Sequence, residues 1–169
     1  ALQEALAPHD VAALIFEPTG AHWGTHPIPP SYLSAAQELT RESGTLFILD
    51  EVITGFRMAP GGAQERYAVT PDLSTHAKIL AGGLPGGCVA GREDVLSMLE
   101  FRASDDAWNS RHRIPHQGTY NAQPPAAAAG IAALRIIEAG NSTKRADATT
   151  ATLVRGLNTL FSKRDVPGS

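Results

Sequence analysis

Two short apolar runs, each ending in an acid, constrain this chain more than anything else in it. Val11 to Phe16 stops at Glu17-Pro18, and Leu46 to Leu49 stops at Asp50-Glu51. Short unbroken runs of this kind predict buried strands of a parallel sheet, and the proline closes the first. Residues 18 to 30, rich in Pro, Gly and His, predict a long loop. From Ser31, as cap, to about Ser43 the spacing predicts a helix with Tyr32, Leu33, Ala36, Leu39 and Thr40 on one face and Gly44 as its C-cap. Strand, helix and strand in this order make a right-handed βαβ unit. Both strands then end at one sheet edge, where they present Glu17 and Asp50. In open α/β sheets that edge is where ligands bind.

Further along, Thr54 to Thr70 predicts irregular chain with a turn at Gly61-Gly62. Asp72 to Thr75 and Cys88 to Ala90 predict short strands, and Glu93 to Glu100 a short helix. The polar stretch 102 to 115 predicts an exposed, mobile loop. Pro124-Pro125 opens an alanine-rich helix that ends near Gly140, because proline is tolerated in a first turn. Asn141 to Arg164 predicts a last helix with Leu153, Leu157, Leu160 and Phe161 on one face.

A hydrophobic content of 43% supports a sizeable core, and a net charge of −3 with no basic stripe argues against nucleic acid or an anionic membrane as partner. The alanine-rich stretch Ala126 to Ile137 is too short to cross a membrane and is broken by Gly130 and Arg135. The first residues lack the basic region and long apolar core of a signal peptide. Cys88 is alone, which rules out an internal disulfide and points to a reducing compartment, the cytoplasm. Both ends read as cut, so the expectation is a piece of a longer enzyme.

Lys78 is the one lysine before Lys144, and a glycine-rich turn, Gly82-Gly83-Leu84-Pro85-Gly86-Gly87, follows it closely. A strand that delivers a carboxylate, followed by a solitary lysine beside a flexible turn, suits a cofactor held covalently by an amine. Pyridoxal phosphate needs this pair. The amine attacks its aldehyde and later shuttles a proton, and the carboxylate keeps the ring nitrogen protonated. On residue type alone the commoner roles are a solvated surface lysine and a helix- or turn-capping Asp50, or an Asp50-Glu51 pair that holds a magnesium ion. Gly118-Thr119, ahead of the Pro124 helix, is a candidate phosphate anchor, though an ordinary loop is the commoner reading of such a pair. His22 with His26 and His112 with His116 are each four apart, but Gly or Pro breaks both stretches, which argues against helical zinc ligation. Cys88 has the features of a small buried residue rather than a nucleophile.

Taken in order, these segments resemble the class III aminotransferases, fold type I pyridoxal-phosphate enzymes, and most of all the glutamate-1-semialdehyde aminomutase branch. The resemblance runs from Ala13-Leu14-Ile15-Phe16-Glu17-Pro18 to Ala133-Leu134. It is carried by Leu49-Asp50-Glu51-Val52-Ile53-Thr54-Gly55-Phe56-Arg57, Gly61-Gly62-Ala63-Gln64, Thr70-Pro71-Asp72-Leu73, the Lys78 to Gly83 stretch, and His116-Gln117-Gly118-Thr119-Tyr120-Asn121-Ala122. It implies an α/β fold. Residues 1–140 would be part of the large cofactor-binding domain, a mostly parallel sheet flanked by helices. Residues 141–169 would be a linking helix and the start of the C-terminal small domain.

The same resemblance implies that Lys78 carries the Schiff base and that Asp50 pairs with the pyridine nitrogen. Val52 would pack on the ring, and Thr119 would bind the phosphate of the neighbouring subunit's cofactor, which implies a homodimer with shared sites. The implied reaction moves an amino group between an amino donor and an aldehyde or keto acceptor, within one molecule in the aminomutase branch. A racemase of the same fold and a non-catalytic truncated domain are the alternatives. Ile53 stands where many family members have glutamine, Ala77 where glycine or serine is frequent, and the 102–115 loop is longer than the aminomutase branch shows, which leaves ω-type transamination open. The family's phosphate loop, its ring-stacking aromatic and its C-terminal substrate-binding side chains have no counterpart here, so the expected turnover of this piece is slow or nil.

Overall fold

The computed structural model describes residues 1–19 and 28–166. His22 and His26, and most of the loop expected between residues 18 and 30, lie outside the described residues. In chain order the elements are α1 (Leu2–Leu6), β1 (Ala13–Phe16), α2 (Pro30–Ser43), β2 (Leu46–Asp50), α3 (Gly62–Tyr67) and β3 (Leu73–His76). A 3-10 turn (Lys78–Ala81) leads to β4 (Cys88–Gly91), α4 (Glu93–Leu96), a second 3-10 turn (Ser97–Leu99), α5 (Asp106–Arg111), α6 (Pro124–Glu138) and α7 (Asn141–Lys163).

The sheet has the order β1-β2-β3-β4. The first three strands are parallel, and β4 returns antiparallel to β3. This is the expected βαβ unit, extended by one strand. The pleat sorts its side chains. Phe47 and Leu49 face α2 and α3, where they join Leu33, Ala36, Ala63 and Val69 in the core. Leu14, Phe16, Tyr32, Met58 and Tyr67 pack around that cluster. The opposite face carries the row Ile15, Ile48, Leu73, and Ile15 is 61% exposed.

Helix α2 starts one residue before the expected cap. Pro29 is its N-cap without a side-chain bond and Pro30 occupies its first turn, where its fixed φ suits the helix and its missing N–H costs nothing. Ser31 instead lies inside that turn, its carbonyl accepting the Ser34 hydroxyl at 3.0 Å. Gly44 closes the helix at φ +74°, its N–H reaching back to the Thr40 and Arg41 carbonyls. The Thr40 hydroxyl, in the core, is satisfied by the Ala36 carbonyl at 2.8 Å.

Three other expectations are corrected. The stretch 54 to 70 is not irregular throughout, because it holds α3. The stretch 102 to 115 is largely exposed as expected but is not a loop throughout, because it holds α5. Asp105 caps α5 through the Trp108 N–H (2.8 Å), and Asn109 bonds both the N–H (2.9 Å) and the carbonyl (2.6 Å) of Arg102. The Arg102 guanidinium lies 3.7 Å from the Trp108 ring centre, a cation–π contact that closes the loop on itself. Cys88 is exposed, not buried, because it begins the outer strand of the sheet.

Asp72 stitches the sheet together just before β3. Its Oδ2 accepts the Phe47 N–H (2.7 Å) and its own N–H donates to the Phe47 carbonyl (2.8 Å). Its Oδ1 takes Arg92 Nη1 at 2.8 Å, and the Arg92 N–H returns to the Asp72 carbonyl at 2.9 Å. Asp72→Ala should therefore cost about 2 kcal/mol, because it strands the Phe47 N–H at the edge of the core. Urea unfolding followed by circular dichroism measures it, and an unchanged midpoint would contradict the stitching role.

Candidate active site

The pleat sends Asp50 and Glu51 to opposite sides of the sheet. Asp50, half-buried at the end of β2, faces away from the core, in register with Thr75 on β3. Its Oδ1 accepts the Val52 N–H and the Thr75 hydroxyl, both at 3.0 Å. The Glu51 N–H donates to the Thr75 carbonyl at 2.9 Å, which holds the two strand ends level. Oδ2 takes part in no hydrogen bond among the described residues.

Glu51 turns inward and is 1% exposed. Its Oε2 accepts the Ala63 N–H (2.6 Å) and the Thr54 hydroxyl (3.0 Å), and its Oε1 accepts the Gln64 side-chain amide (2.9 Å) and N–H (3.3 Å). A buried carboxylate is tolerable because four donors surround it and the N-terminus of α3 points at it. Gly62 is required for this. Its φ is +68°, and a Cβ there would stand 2.3 Å from Glu51 Oε2. The Asp-Glu pair and the Gly-Gly pair are thus one device. It is not a magnesium site, because the two carboxylates diverge. Among the described residues no group of three His, Cys, Asp or Glu could hold a metal ion. Glu51→Ala should leave these donors buried without an acceptor and lower stability by about 3 kcal/mol. A change under about 1 kcal/mol in a chemical melt would contradict the account.

Lys78 follows β3 directly, three residues beyond the Thr75 that pairs with Asp50. Ala77 is extended (φ −154°), and the chain then turns sharply, with Lys78 at φ +50° opening the 3-10 turn. A residue with a Cβ pays about 1 kcal/mol or more in this left-handed region, and such strain concentrates at functional positions. Lys78 is exposed, not enclosed by the apolar residues that flank it in sequence. Val52 is half-buried and sits one turn of chain past Asp50. Asp50, Val52, Thr75 and Lys78 therefore share one sheet edge.

Gly118 and Thr119 do not join that edge by any hydrogen bond among the described residues. They lie in an exposed turn that the Asn121 N–H closes onto the Gly118 carbonyl at 3.0 Å. Glu17, the other strand-end acid, is taken up locally, its carboxylate accepting the Thr19 hydroxyl at 2.6 Å.

Two residues escaped the sequence reading. Thr75 was hidden because its bond to Asp50 crosses between strands. His76 lies on the core side, its Nε2 2.9 Å from the Ser74 hydroxyl and its ring 5.5 Å from that of Phe56. Its Nδ1 is buried and has no hydrogen-bond partner among the described residues. Gly55 makes room for it, since a Cβ there would be 2.7 Å from Nδ1. Neither residue carries a signal beyond the strand alternation that separates Thr75 from His76.

A mostly parallel sheet with a carboxylate and a solitary lysine following neighbouring strands defines an α/β protein. The sequence pattern of the class-III aminotransferases matches residues 1–169, and the chain belongs to that family, whose cofactor is pyridoxal phosphate. It is 37% identical over 158 residues to glutamate-1-semialdehyde 2,1-aminomutase 2 of Brevibacillus brevis, covering 94% of this chain and 35% of that protein. It is 42% identical over 139 residues to the glutamate-1-semialdehyde 2,1-aminomutase of Rhodopirellula baltica, covering 81% and 30%.

Among solved structures, an omega-transaminase from Sphaerobacter thermophilus matches at a TM-score of 0.63 with 38% identity, over 74% of this chain and 27% of that one. An ornithine aminotransferase from Toxoplasma gondii matches at 0.77 with 30% identity, over 94% and 35%. The fold is that of the fold type I aminotransferases. The chain spans about a third of the length of the curated relatives it matches.

Proposed function

We propose that this chain carries the cofactor-capturing part of a pyridoxal-phosphate enzyme that moves an amino group between an amino donor and an aldehyde or keto acceptor. The observation that carries the reading is the shared edge. Asp50 ends one strand and Lys78 closely follows its parallel neighbour, and among the described residues Val52 and Thr75 engage one Asp50 oxygen while the other makes no hydrogen bond. These residues fit the group: a carboxylate for a ring N–H and an amine for an aldehyde. The bound cofactor supplies the aldehyde and an electron-withdrawing ring.

In this reading Lys78 Nζ would hold the cofactor through its aldehyde, and the same amine would take up and return the proton at the amino-bearing carbon. Asp50 would keep the proton on the ring nitrogen. Val52 backs the ring. Thr119, with Gly118 beside it, anchors the phosphate in the neighbouring subunit, so that the working unit is a homodimer. The exposure of that turn, apart from the Asp50 edge, supports this assignment. Gly140, left-handed at φ +72° between α6 and α7, supports a division between residues 1–140 and 141–169. Among the described residues no helix is long and apolar enough to cross a membrane, and the exposed lone Cys88 fits a reducing compartment such as the cytoplasm.

The aminomutase relatives support transfer within one molecule. The likeness to an omega-transaminase and an ornithine aminotransferase supports transfer between two. After incubation with pyridoxal phosphate and dialysis, the chain should retain the cofactor, K78A should retain none, and D50A should bind it about tenfold or more weakly, the effect of losing one charged hydrogen bond. Equal retention by K78A and the parent chain, read by cofactor absorbance, would refute the assignment.

A further inference from the structure

Lys78 stands between two anchors. Upstream, the Thr75 hydroxyl is bonded to Asp50 Oδ1 and the Thr75 carbonyl to the Glu51 N–H. Downstream, the turn that carries Lys78 lies directly on the backbone of helix α6, and two glycines make that approach possible. A Cβ on Gly82, whose φ is +61°, would stand 2.4 Å from the Ala129 carbonyl oxygen. A Cβ on Gly130 would stand 2.4 Å from the Leu80 carbonyl oxygen. The contacts are reciprocal: Gly82 meets the carbonyl one residue before Gly130, and Gly130 meets the carbonyl two residues before Gly82. Both clashing atoms are backbone, so no side-chain rotation relieves them, and either the turn or the helix must move until the contact exceeds 3.0 Å. Ala81, 4% exposed, is buried in the same seam.

The left-handed φ of Lys78 persists only because its surroundings hold it there. The strand end alone does not, since Ala77 before it is in open, extended conformation. We propose that Gly130 is a positioning residue for Lys78. By letting helix α6 seat against the Leu80 carbonyl, and with Gly82 opposite, it fixes the turn that aims the amine at the Asp50 edge. The inference rests on the reading of Lys78 as the amine that captures the cofactor. It also ties that amine to the helix that follows the Thr119 turn, so the two proposed halves of the site share one rigid contact.

The test is G130A in this chain, with G156A as control, because a Cβ on Gly156 meets nothing within 4 Å. Hydrogen exchange reads the turn through the Leu80, Gly82 and Leu84 amides, which bond to the Ala77, Ile79 and Ala81 carbonyls. The Glu51 and Asp72 amides report the sheet. Pyridoxal-phosphate labelling trapped by borohydride gives the ratio of Lys78 to Lys144 and Lys163. In G130A the turn amides should lose protection while the sheet amides keep theirs. The Lys78 preference should fall about ten- to a hundredfold, as expected for a displaced reacting group. G156A should change neither.

If the parent chain labels all three lysines alike, the cofactor reading fails and exchange alone decides the mechanical claim. Unchanged turn protection in G130A, or retained Lys78 preference in a selective parent, would overturn the proposal. Should G130A not fold, G82N probes the same seam from the other side, since asparagine tolerates the left-handed backbone and adds the clashing Cβ without the φ penalty. The same two readouts then decide.

Discussion

The structure depends on the buried Glu51 carboxylate. Four donors from two neighbouring segments converge on it, and they join the end of β2 to the start of α3. Because side chains alternate along a strand, fixing Glu51 inward obliges Asp50 to point outward. The Thr75 hydroxyl and the Val52 N–H then engage one Asp50 oxygen and leave the other without a hydrogen bond among the described residues. The site is in this sense a by-product of the core: one carboxylate is spent inside so that its neighbour is presented at the edge.

Much of this was legible in the sequence where the cause is local. Gly44 announces a helix end because only a left-handed residue closes it cheaply. The two apolar runs announce parallel strands because nothing polar interrupts them, and their acidic ends mark the edge. The order of motifs placed Lys78 one strand beyond Asp50. What stayed hidden depends on long-range contact. Glu51 looked like a possible metal ligand because its partners Ala63 and Gln64 are reached only after the chain folds back. The helix within 102–115 was not foreseen because the contacts around it, Asn109 to Arg102 and Arg102 to Trp108, link residues of a polar stretch that usually faces water. Ser31 looked like a cap because the rule favours hydroxyls, yet Pro30 with its fixed φ took the first turn. Cys88 looked buried on residue type alone, and only its place at the outer strand of the sheet exposes it.

The sheet is covered on one side. Phe47 and Leu49 are sealed under α2 and α3, while Ile15, in the row with Ile48 and Leu73, is left largely open. Parallel sheets ordinarily carry a layer on each face, and the described residues supply one. Helix α7 shows the same imbalance, with Leu153, Leu157 and Leu160 exposed along one stripe. Both surfaces accord with a chain that spans about a third of its curated relatives, and they direct attention away from turnover and toward cofactor capture as the property this chain can be asked for.

The most direct measurement is therefore peptide mapping after incubation with pyridoxal phosphate and reduction with borohydride. The chain has three lysines, Lys78, Lys144 and Lys163, so the label is easily placed. The account predicts a label concentrated on Lys78. A label spread evenly over the three, or absent, would contradict it.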